Sequence, residues 1–498
     1  MSARKRRGSP RPSPVEAQND ALQRFLPLVS AEELPLLLAE LQRPVSQALR
    51  ANPLKVTDPA QALGAWAAAY SWETSPVPYC PTGWWVHQAA RPISQTLEHQ
   101  LGHYYIQDAA SMLPVELFTP HSGEPPLTLD LAASPGGKTT HLISRSGDQG
   151  LVLANDSSQS RIHALRLVLH TWGSVNHAVT CFAGERFGAW FPETFDRVLL
   201  DAPCSMQNLR STESHPMRAI SPRERDSLSV RQRNLLISAS QALKTGGEVV
   251  YATCTLSPEE DEGVLDELLR RFPGAVEIVD LSRRLPAPAP GLSSDGQRDF
   301  DPAVQRAARL WPHRFGTSGF FSALIQKRAP VAAPEGGPPA RSLTREGMAP
   351  LPAARVRDLA LRQGERYGFP LEAVLQTNNL ELWQKGPQVW AVPRAFLSRF
   401  GDLPHESLGL PLGTDTPDGF QPGHDWVSRF FDQHRGGREI LSAAQSAAWL
   451  RGEDLPGTPQ RFAHGEAAVV VDEQGRFLGL GKAVTGRLRN MRPRRLAG

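Results

Sequence analysis

Cysteine is scarce in this chain: 498 residues hold four, Cys80, Cys181, Cys204 and Cys254. Neither their number nor their spacing makes a disulfide framework or a zinc-type pairing, so no metal is expected and a reducing cytoplasm is. No run of about 18 apolar residues occurs, so no membrane-spanning helix is expected. The basic start, MSARKRRGSPRPSP, leads into no apolar stretch and does not read as a secretory signal. No internal repeat is present, and the Gly-x-Gly-x-x-Gly dinucleotide pattern is missing.

Proline and glycine are plentiful, at 44 and 41 residues, yet remain below the level of disordered chains. Hydrophobic residues make up 40%, enough for sizeable cores, and the length suggests about three domains. A formal net charge of +3 hides an asymmetry. Residues 1–14 carry +5 and residues 481–498 carry +6, which leaves −8 for the rest. Basic ends on an acidic body suit a polyanionic partner such as RNA, or are simply solvated termini.

Composition divides the chain. Residues 1–22 are Arg/Pro/Ser-rich and read as a disordered tail. Residues 23–100 alternate helical patterns with turns, with Ser30 placed to cap a helix. Residues 101–328 alternate strands and helices, the pattern of a mainly parallel sheet covered on both faces. Residues 329–341 are a Pro/Ala/Gly linker, 342–405 a small connecting unit with a helix near 342–365, and 406–498 a β-rich module. In the last, EAAVVVDEQGRFLGLGKAV reads as strand, turn, strand.

Five buried strands are expected at 127–133, 150–156, 177–182, 196–203 and 248–256, with a late edge strand at 318–327. Ile162, Leu165, Leu169 and Trp172 share one helical face. Gly246 and Gly247 are placed to cap a helix, and the acidic run before VLDELLRRF to complement a helix dipole.

In an open α/β sheet, ligands sit beyond the C-terminal strand ends. The first such end is Asp130-Leu-Ala-Ala-Ser-Pro-Gly-Gly-Lys-Thr139. Gly136 and Gly137 allow close backbone approach to a ligand, and Asp156 ends the next strand, where a carboxylate can accept both ribose hydroxyls. Gly137-Lys138-Thr139 also fits the end of a phosphate-binding loop, although Ala132 replaces its first glycine. With Asp201 as a magnesium ligand, that pattern would be a P-loop NTPase. The second end is Asp201-Ala-Pro-Cys204 and the third Ala252-Thr-Cys254-Thr-Leu. A single strand cysteine is commonly a small core residue. Two at adjacent strand ends, beside a nucleoside-type pocket, point to chemistry that an NTPase does not need.

With these residues the chain resembles the RNA cytosine-5 methyltransferases, the family of the Nop2/Sun-type enzymes, and within it the F-type bacterial small-subunit ribosomal RNA methyltransferases. The likeness takes in Phe25–Lys55, Tyr104–Leu113, the three turns, Arg309–His313 and Gly319–Phe321. It reaches the C-terminus, where Gly479-Leu-Gly-Lys482 and Gly486-Arg-Leu resemble a PUA-like RNA-binding module. The resemblance implies a Rossmann-like S-adenosylmethionine-dependent core, an N-terminal RNA-binding domain, a monomeric protein and 16S ribosomal RNA or the 30S subunit as partner; transfer RNA and a degenerate RNA-binding factor are the alternatives. It assigns Ala132, Ala133, Ser134, Pro135, Gly136, Gly137, Lys138 and Asp156 to the cofactor. Asp201 is placed beside the methyl donor and the base, Cys254 as nucleophile and Cys204 in product release. Lys138 is an electrostatic helper or a cap of the turn. Arg50, Lys55, Lys482, Arg487 and Arg489 are candidate RNA contacts, and Trp84, Trp85 and His87 are stacking surface or core.

The chemistry suits those residue types. Cytosine C5 is a weak nucleophile, and a thiolate adding to C6 turns the ring into an enamine that takes a methyl group. Four positions depart from the family pattern. Ala132-Ala-Ser-Pro135 replaces Cys-Ala-Ala-Pro, and Ala183 replaces an adenine-binding acid. Met206 stands where glycine is usual, and Leu209-Arg-Ser-Thr-Glu213 lacks the usual Arg-Lys-Asp-Pro.

Overall fold

Apolar strands alternating with amphipathic helices build one nine-stranded sheet, flanked by three smaller ones among the described residues. The structure, a computed structural model, describes residues 13–210, 217–457 and 461–496. Most of the basic start and positions 211–213 of the departing segment lie outside the described residues.

The chain opens with α1 (Pro14–Phe25) and α2 (Leu34–Leu41). Residues 14–22 are therefore helical and not a tail. Ser13 and Glu16 form a capping box, and Ala17, Ala21 and Phe25 pack at helical spacing against Leu209, Leu256 and Trp311. Ser30 caps the turn before α2 by accepting from Glu33 N–H at 3.3 Å. Then come β1 (Gln47–Ala51), α3 (Pro59–Tyr70), β2 (Glu73–Pro76), β3 (Gly83–Gln88), α4 (Leu97–Gln100) and β4 (Tyr104–Ile106). They make an antiparallel sheet in the order β2-β3-β1-β4, so this sheet extends past residue 100.

After α5 (Leu113–Glu116) the large sheet begins with β5 (Leu127–Asp130), α6 (Gly137–Arg145), β6 (Leu151–Asn155), α7 (Gln159–Trp172) and β7 (His177–Thr180). It continues with α8 (Phe187–Trp190), β8 (Phe195–Asp201), α9 (Pro222–Ala242), β9 (Leu243–Thr253), α10 (Glu262–Arg271), β10 (Val276–Ile278), β11 (Ala308–Leu310) and β12 (Phe320–Lys327). Strands β5 to β9 are parallel, in the order β7-β6-β5-β8-β9. The strand order reverses between β5 and β8, which opens a crevice at their C-terminal ends. Ile162, Leu165, Leu169 and Trp172 are all buried, as their spacing predicts.

Two expectations are corrected here. Strand β12 is not an edge: it lies antiparallel between β9 and β10, because residues 276–278 supply a further strand. Gly246 and Gly247 do not cap α9. The helix ends at Ala242 with Leu243 already extended, and the Lys244–Gly247 stretch runs inside β9.

Beyond the linker lie β13 (Met348–Pro350), β14 (Leu380–Lys385), β15 (Gln388–Pro393), β16 (Ser407–Leu408), β17 (Leu410–Thr416) and β18 (Gly419–Pro422). The sheet β13-β14-β15-β17-β18 runs straight through the boundary expected at residue 405. Strand β16 leaves it and pairs with β7, Ser407 opposite Val179, so the large sheet has a strand from the following unit on its edge. The last sheet, in the order β19-β21-β22-β23-β20, comprises β19 (Arg438–Leu441), β20 (Leu455–Pro456), β21 (Ala467–Asp472), β22 (Phe477–Val484) and β23 (Arg487–Asn490). Here β21 and β22 form the expected hairpin. No helix among the described residues is long and apolar enough to cross a membrane.

The β7–β16 junction holds two histidines, His177 fully buried on β7 and His170 partly buried on α7. His170 donates or accepts at Ser407 Oγ, 3.1 Å away, and its ring lies 6.1 Å from that of His177. Neither ring nitrogen of His177 has a hydrogen-bond partner. Burial first, then neighbouring cations or the other imidazole, pushes His170 down to about 4 and His177 to about 3. Both are neutral when folded, and protonation favours the unfolded chain. Their stabilising contribution is complete above the unfolded value of about 6.5 and is lost as pH falls toward 4. We expect the unfolding free energy from urea titration to fall between pH 7 and 5, by roughly 1.4 kcal/mol per pH unit per histidine below 6.5, and the urea midpoint to fall with it. A midpoint that stays level would contradict the assignment.

Candidate active site

The turn after β5 is fastened on both sides. Leu131 N–H donates to the Leu199 carbonyl on β8 at 2.9 Å, and Ala133 N–H to the Asn155 carbonyl on β6 at 2.7 Å. Gly136 has φ +117°, and a Cβ there would meet Val168 of α7 at 2.9 Å. On Gly137 it would meet the Tyr105 ring at 2.9 Å. Packing against α7 and against Tyr105 of β4 therefore demands both glycines, which leaves the turn's backbone bare toward the crevice.

Asp156 stands where expected, at the end of β6 and against this turn. It accepts from Ser134 N–H at 3.2 Å and from Ser158 N–H at 2.9 Å, and Arg161 lies 3.6 Å away. A carboxylate has further lone-pair sites for hydroxyl donors. Sequence reasoning missed Arg161, which also donates to the Ser134 carbonyl. It missed Asn155 too, which bonds the Leu131 and Phe182 carbonyls at 3.2 and 3.0 Å and so joins the β5 and β7 loops. Ala183 is exposed in the β7 loop, and the nearby acid Glu185 pairs with Arg231 at 3.5 Å.

Lys138 reaches across the crevice to Asp201, Nζ to Oδ2 at 2.7 Å, and lies over the Phe320 ring at 5.4 Å. Burial alone would lower its pKa, but Asp201, Cys254 and Asp130 outweigh that and hold it up, so it stays an ammonium. Asp130 is the group that sequence reasoning overlooked. Its Oδ2 accepts from Thr139 at 2.7 Å, while its buried Oδ1 has no partner. Burial, with Asp201 nearby, pushes it up to about 7 despite the Thr139 hydrogen bond.

Strands β8 and β9 are neighbours, Asp201 opposite Ala252, and so Cys204 and Cys254 leave the sheet side by side. Their sulfurs are 3.2 Å apart. The Cys254 contact, then burial and the Glu260 charge, push the Cys204 thiol well above its usual range. Met206 carries a φ of +60°, a left-handed conformation that favours glycine, and its side chain is exposed.

Behind the cysteines, the acidic run before α10 does more than complement a dipole. Arg309, fully buried, pairs with Asp261 at 3.3 Å and with Glu262, and donates to the Leu256 carbonyl at 3.0 Å. Asp261 in turn accepts from Thr253 at 2.6 Å. In front, Arg24 of α1 donates to Gln207 at 3.1 Å and Ser257 at 2.8 Å and pairs with Glu259. One arginine thus braces both cysteine loops.

Two expected RNA contacts are corrected. Arg50 is fully buried: it donates to Gln107, the Gly137 carbonyl and Thr140 at 3.1, 3.0 and 2.7 Å and stacks on Trp172. Lys55 gives its ammonium to the Leu101 and Thr171 carbonyls at 2.7 Å each and to Ser428 at 3.0 Å. Burial pushes it down to about 7. Arg50 ties the N-terminal sheet to the glycine turn and α6, and Lys55, partly buried, spends its ammonium on Leu101, Thr171 and Ser428. Lys482 pairs with Asp418 at 2.8 Å and Arg487 with Asp454 at 3.3 Å, while Arg489 is exposed with no ion pair among the described residues. Trp84 is core, and exposed His87 is held between Ser46 and Ser75. Cys80, Glu116 and His141 are the described side chains grouped as metal donors are, but Glu116 already bonds His141 at 2.9 Å and Arg145 at 3.2 Å.

The chain is similar to known proteins along most of its length. Residues 115–326 match the family described as 16S rRNA methyltransferase RsmB/F, 20–109 the N-terminal domain of 16S rRNA methyltransferase RsmF, and 440–497 the methyltransferase RsmF PUA domain. Ribosomal RNA small subunit methyltransferase F of Cronobacter sakazakii is 34% identical over 92% of both chains, and that of Klebsiella pneumoniae 35% over the same shares. A Pyrococcus horikoshii methyltransferase homologue, 28% identical, matches 62% of this chain and 99% of its own with a TM-score of 0.51. Three matched segments in sequence order and relatives aligned nearly end to end lead to one conclusion: the chain belongs to the RsmB/F family of 16S rRNA methyltransferases.

Proposed function

We propose that this protein forms 5-methylcytosine in 16S ribosomal RNA through a transient thioether between Cys254 and cytosine C6. The observation that carries the reading is the pair of sulfurs 3.2 Å apart at adjacent strand ends, beside the Lys138–Asp201 ion pair. A P-loop reading needs its lysine free for phosphate, whereas Lys138 is committed to Asp201.

The methyl donor is S-adenosylmethionine, which supplies an electrophilic sulfonium methyl when bound. The residues present fit it. The bare turn at Gly136 and Gly137 admits its methionine end, Asp156 suits the ribose hydroxyls, and the unpartnered Asp130 Oδ1 suits a cationic group.

Cys254 adds to C6 and makes C5 nucleophilic. Asp201 accepts from the base's exocyclic amine, and the Lys138 ammonium offsets the negative charge that develops. Once C5 carries the methyl, its proton leaves to a water-borne base and the C6–S bond breaks. Cys204, still a thiol, donates a hydrogen bond to the departing Cys254 thiolate and stabilises it as a leaving group without giving up its proton. The target must be unpaired or flipped out to meet Cys254. Arg487 and Arg489 on the C-terminal sheet supply phosphate contact, and the protein acts in the cytoplasm on RNA or the assembled 30S subunit.

The central test incubates the protein and labelled S-adenosylmethionine with 30S subunits, naked 16S RNA and transfer RNA. Label should appear as 5-methylcytidine in 16S RNA; label in transfer RNA alone would move the substrate, and none anywhere would leave an RNA-binding factor. Cys254→Ala should reduce turnover at least about a thousandfold. Cys204→Ala should instead accumulate a denaturant-stable protein–RNA adduct, and a failure to trap one removes its release role.

Asp130 gives a pH signature. It is protonated below about 7 and ionised above, and S-adenosylmethionine is a net cation. Calorimetric affinity should rise as pH passes from 6 to 8, and Asp130→Asn should flatten that rise. Arg24→Ala should slow turnover roughly tenfold with cofactor affinity unchanged, because α1 touches the cysteine loops and not the glycine turn.

A further inference from the structure

The loops bearing Cys204 and Cys254 are tied to each other as well as to their strands. Ser205 Oγ and Thr255 Oγ1 are 3.0 Å apart, and Leu256 N–H donates to the Gln207 carbonyl at 3.0 Å. A third tie runs through a side chain the mechanism has not used. Glu260 is fully buried, and its Oε2 accepts from Ser205 N–H and from Gln232, each at 2.9 Å. Its carbonyl takes the Tyr251 hydroxyl of β9, and its N–H donates to the Ser257 carbonyl at 3.0 Å. Oε1 has no partner, and no described cation forms a salt bridge with this carboxylate: Arg24 and Arg225 pair with Glu259, Arg309 with Asp261 and Glu262. An amide would accept the same two hydrogen bonds without the expense of burying a charge. The charge itself therefore calls for a use.

We propose that Glu260 is a positioning residue for the thiol chemistry inferred above. It fastens the two cysteine loops together and sets a negative charge near Cys204, so that Cys254 ionises and Cys204 keeps its proton. This rests on the two-cysteine reading and deepens it. The groups acting on the pair are of opposite sign. Lys138, on the glycine turn, is attracted to Cys254, although Asp201 and Asp130 share its charge. Glu260, on the segment before α10, acts against ionisation of Cys204. Two sulfurs in contact hold a single proton between them once the first ionises, and this asymmetry decides which keeps it.

The test alkylates RNA-free full-length protein with iodoacetamide from about pH 6 to 10 and resolves the labelled cysteines by peptide mass spectrometry. In the wild type Cys254 should label at lower pH than Cys204. Glu260→Gln should bring the Cys204 curve down by about half a pH unit or more and leave that of Cys181 in place. Glu260→Asp, which keeps the charge, should restore it. On RNA, Glu260→Gln should lose kcat roughly tenfold with the KM for S-adenosylmethionine unchanged. Cys204 labelling first in the wild type, or a curve unmoved in Glu260→Gln, overturns the proposal. The wild-type order needs no variant, and Cys204 labelling first would overturn the proposal even where Glu260→Gln does not fold; there Glu260→Asp, which should leave both curves in place, supplies the second arm. Because labelling involves no RNA, its failure is distinct from failure of the methyltransferase reading, which would show as absent 5-methylcytidine.

Discussion

The ion pair between Lys138 and Asp201 spans the crevice where the strand order of the large sheet reverses, at 2.7 Å. It ties the glycine turn on the β5 side to β8 and its cysteine loop. It also keeps a positive charge in a pocket otherwise lined by Asp130, Asp156 and Asp201. Without that ammonium, neighbouring carboxylates and a thiolate would have to ionise against one another. Asp130 shows how near the balance is, since its carboxyl is pushed up to about 7 with the lysine in place.

Around this pair the protein builds outward in layers that each fix a loop. Arg50 holds the Gly137 carbonyl from the N-terminal sheet, Arg309 holds the Leu256 carbonyl from below the Cys254 loop, and Arg24 reaches both cysteine loops from α1. Arg50 and Arg309 are fully buried cations made tolerable by several acceptors each. Loops that carry chemistry need such support, because two sulfurs in contact tolerate little displacement. The family departures fit the same frame. Met206 adopts a glycine-like backbone and turns its side chain to solvent, and Ala183 lies exposed at the end of β7.

The large sheet was legible because its strands are short apolar runs ended by Gly, Pro or Asp, and its helices carry a clear apolar face, as at Ile162, Leu165, Leu169 and Trp172. The three turns of the candidate site were legible because unusual residues fall at strand ends. The charged residues were not. Arg50 and Lys55 look in sequence like any surface cation, yet both are spent on internal acceptors; only the carbonyls that surround them reveal it. Asp130 and Glu260 read as an ordinary strand end and an ordinary helix start. Residues 14–22 hid a helix within a disorder-like composition, because its stability comes from docking on Leu209 and Leu256.

The sequence by itself determined most of the element types, the doubly wound core, the place of Lys138, Asp201, Cys204 and Cys254 at strand ends, and the family resemblance, all of which depend on local pattern and spacing. Tertiary structure decided which charges are buried, that β16 joins a sheet begun more than two hundred residues earlier, and that two cysteines fifty residues apart touch. Those outcomes depend on distances between segments remote in the chain, and on the exclusion of water that follows from packing them together. No local run of residues encodes either.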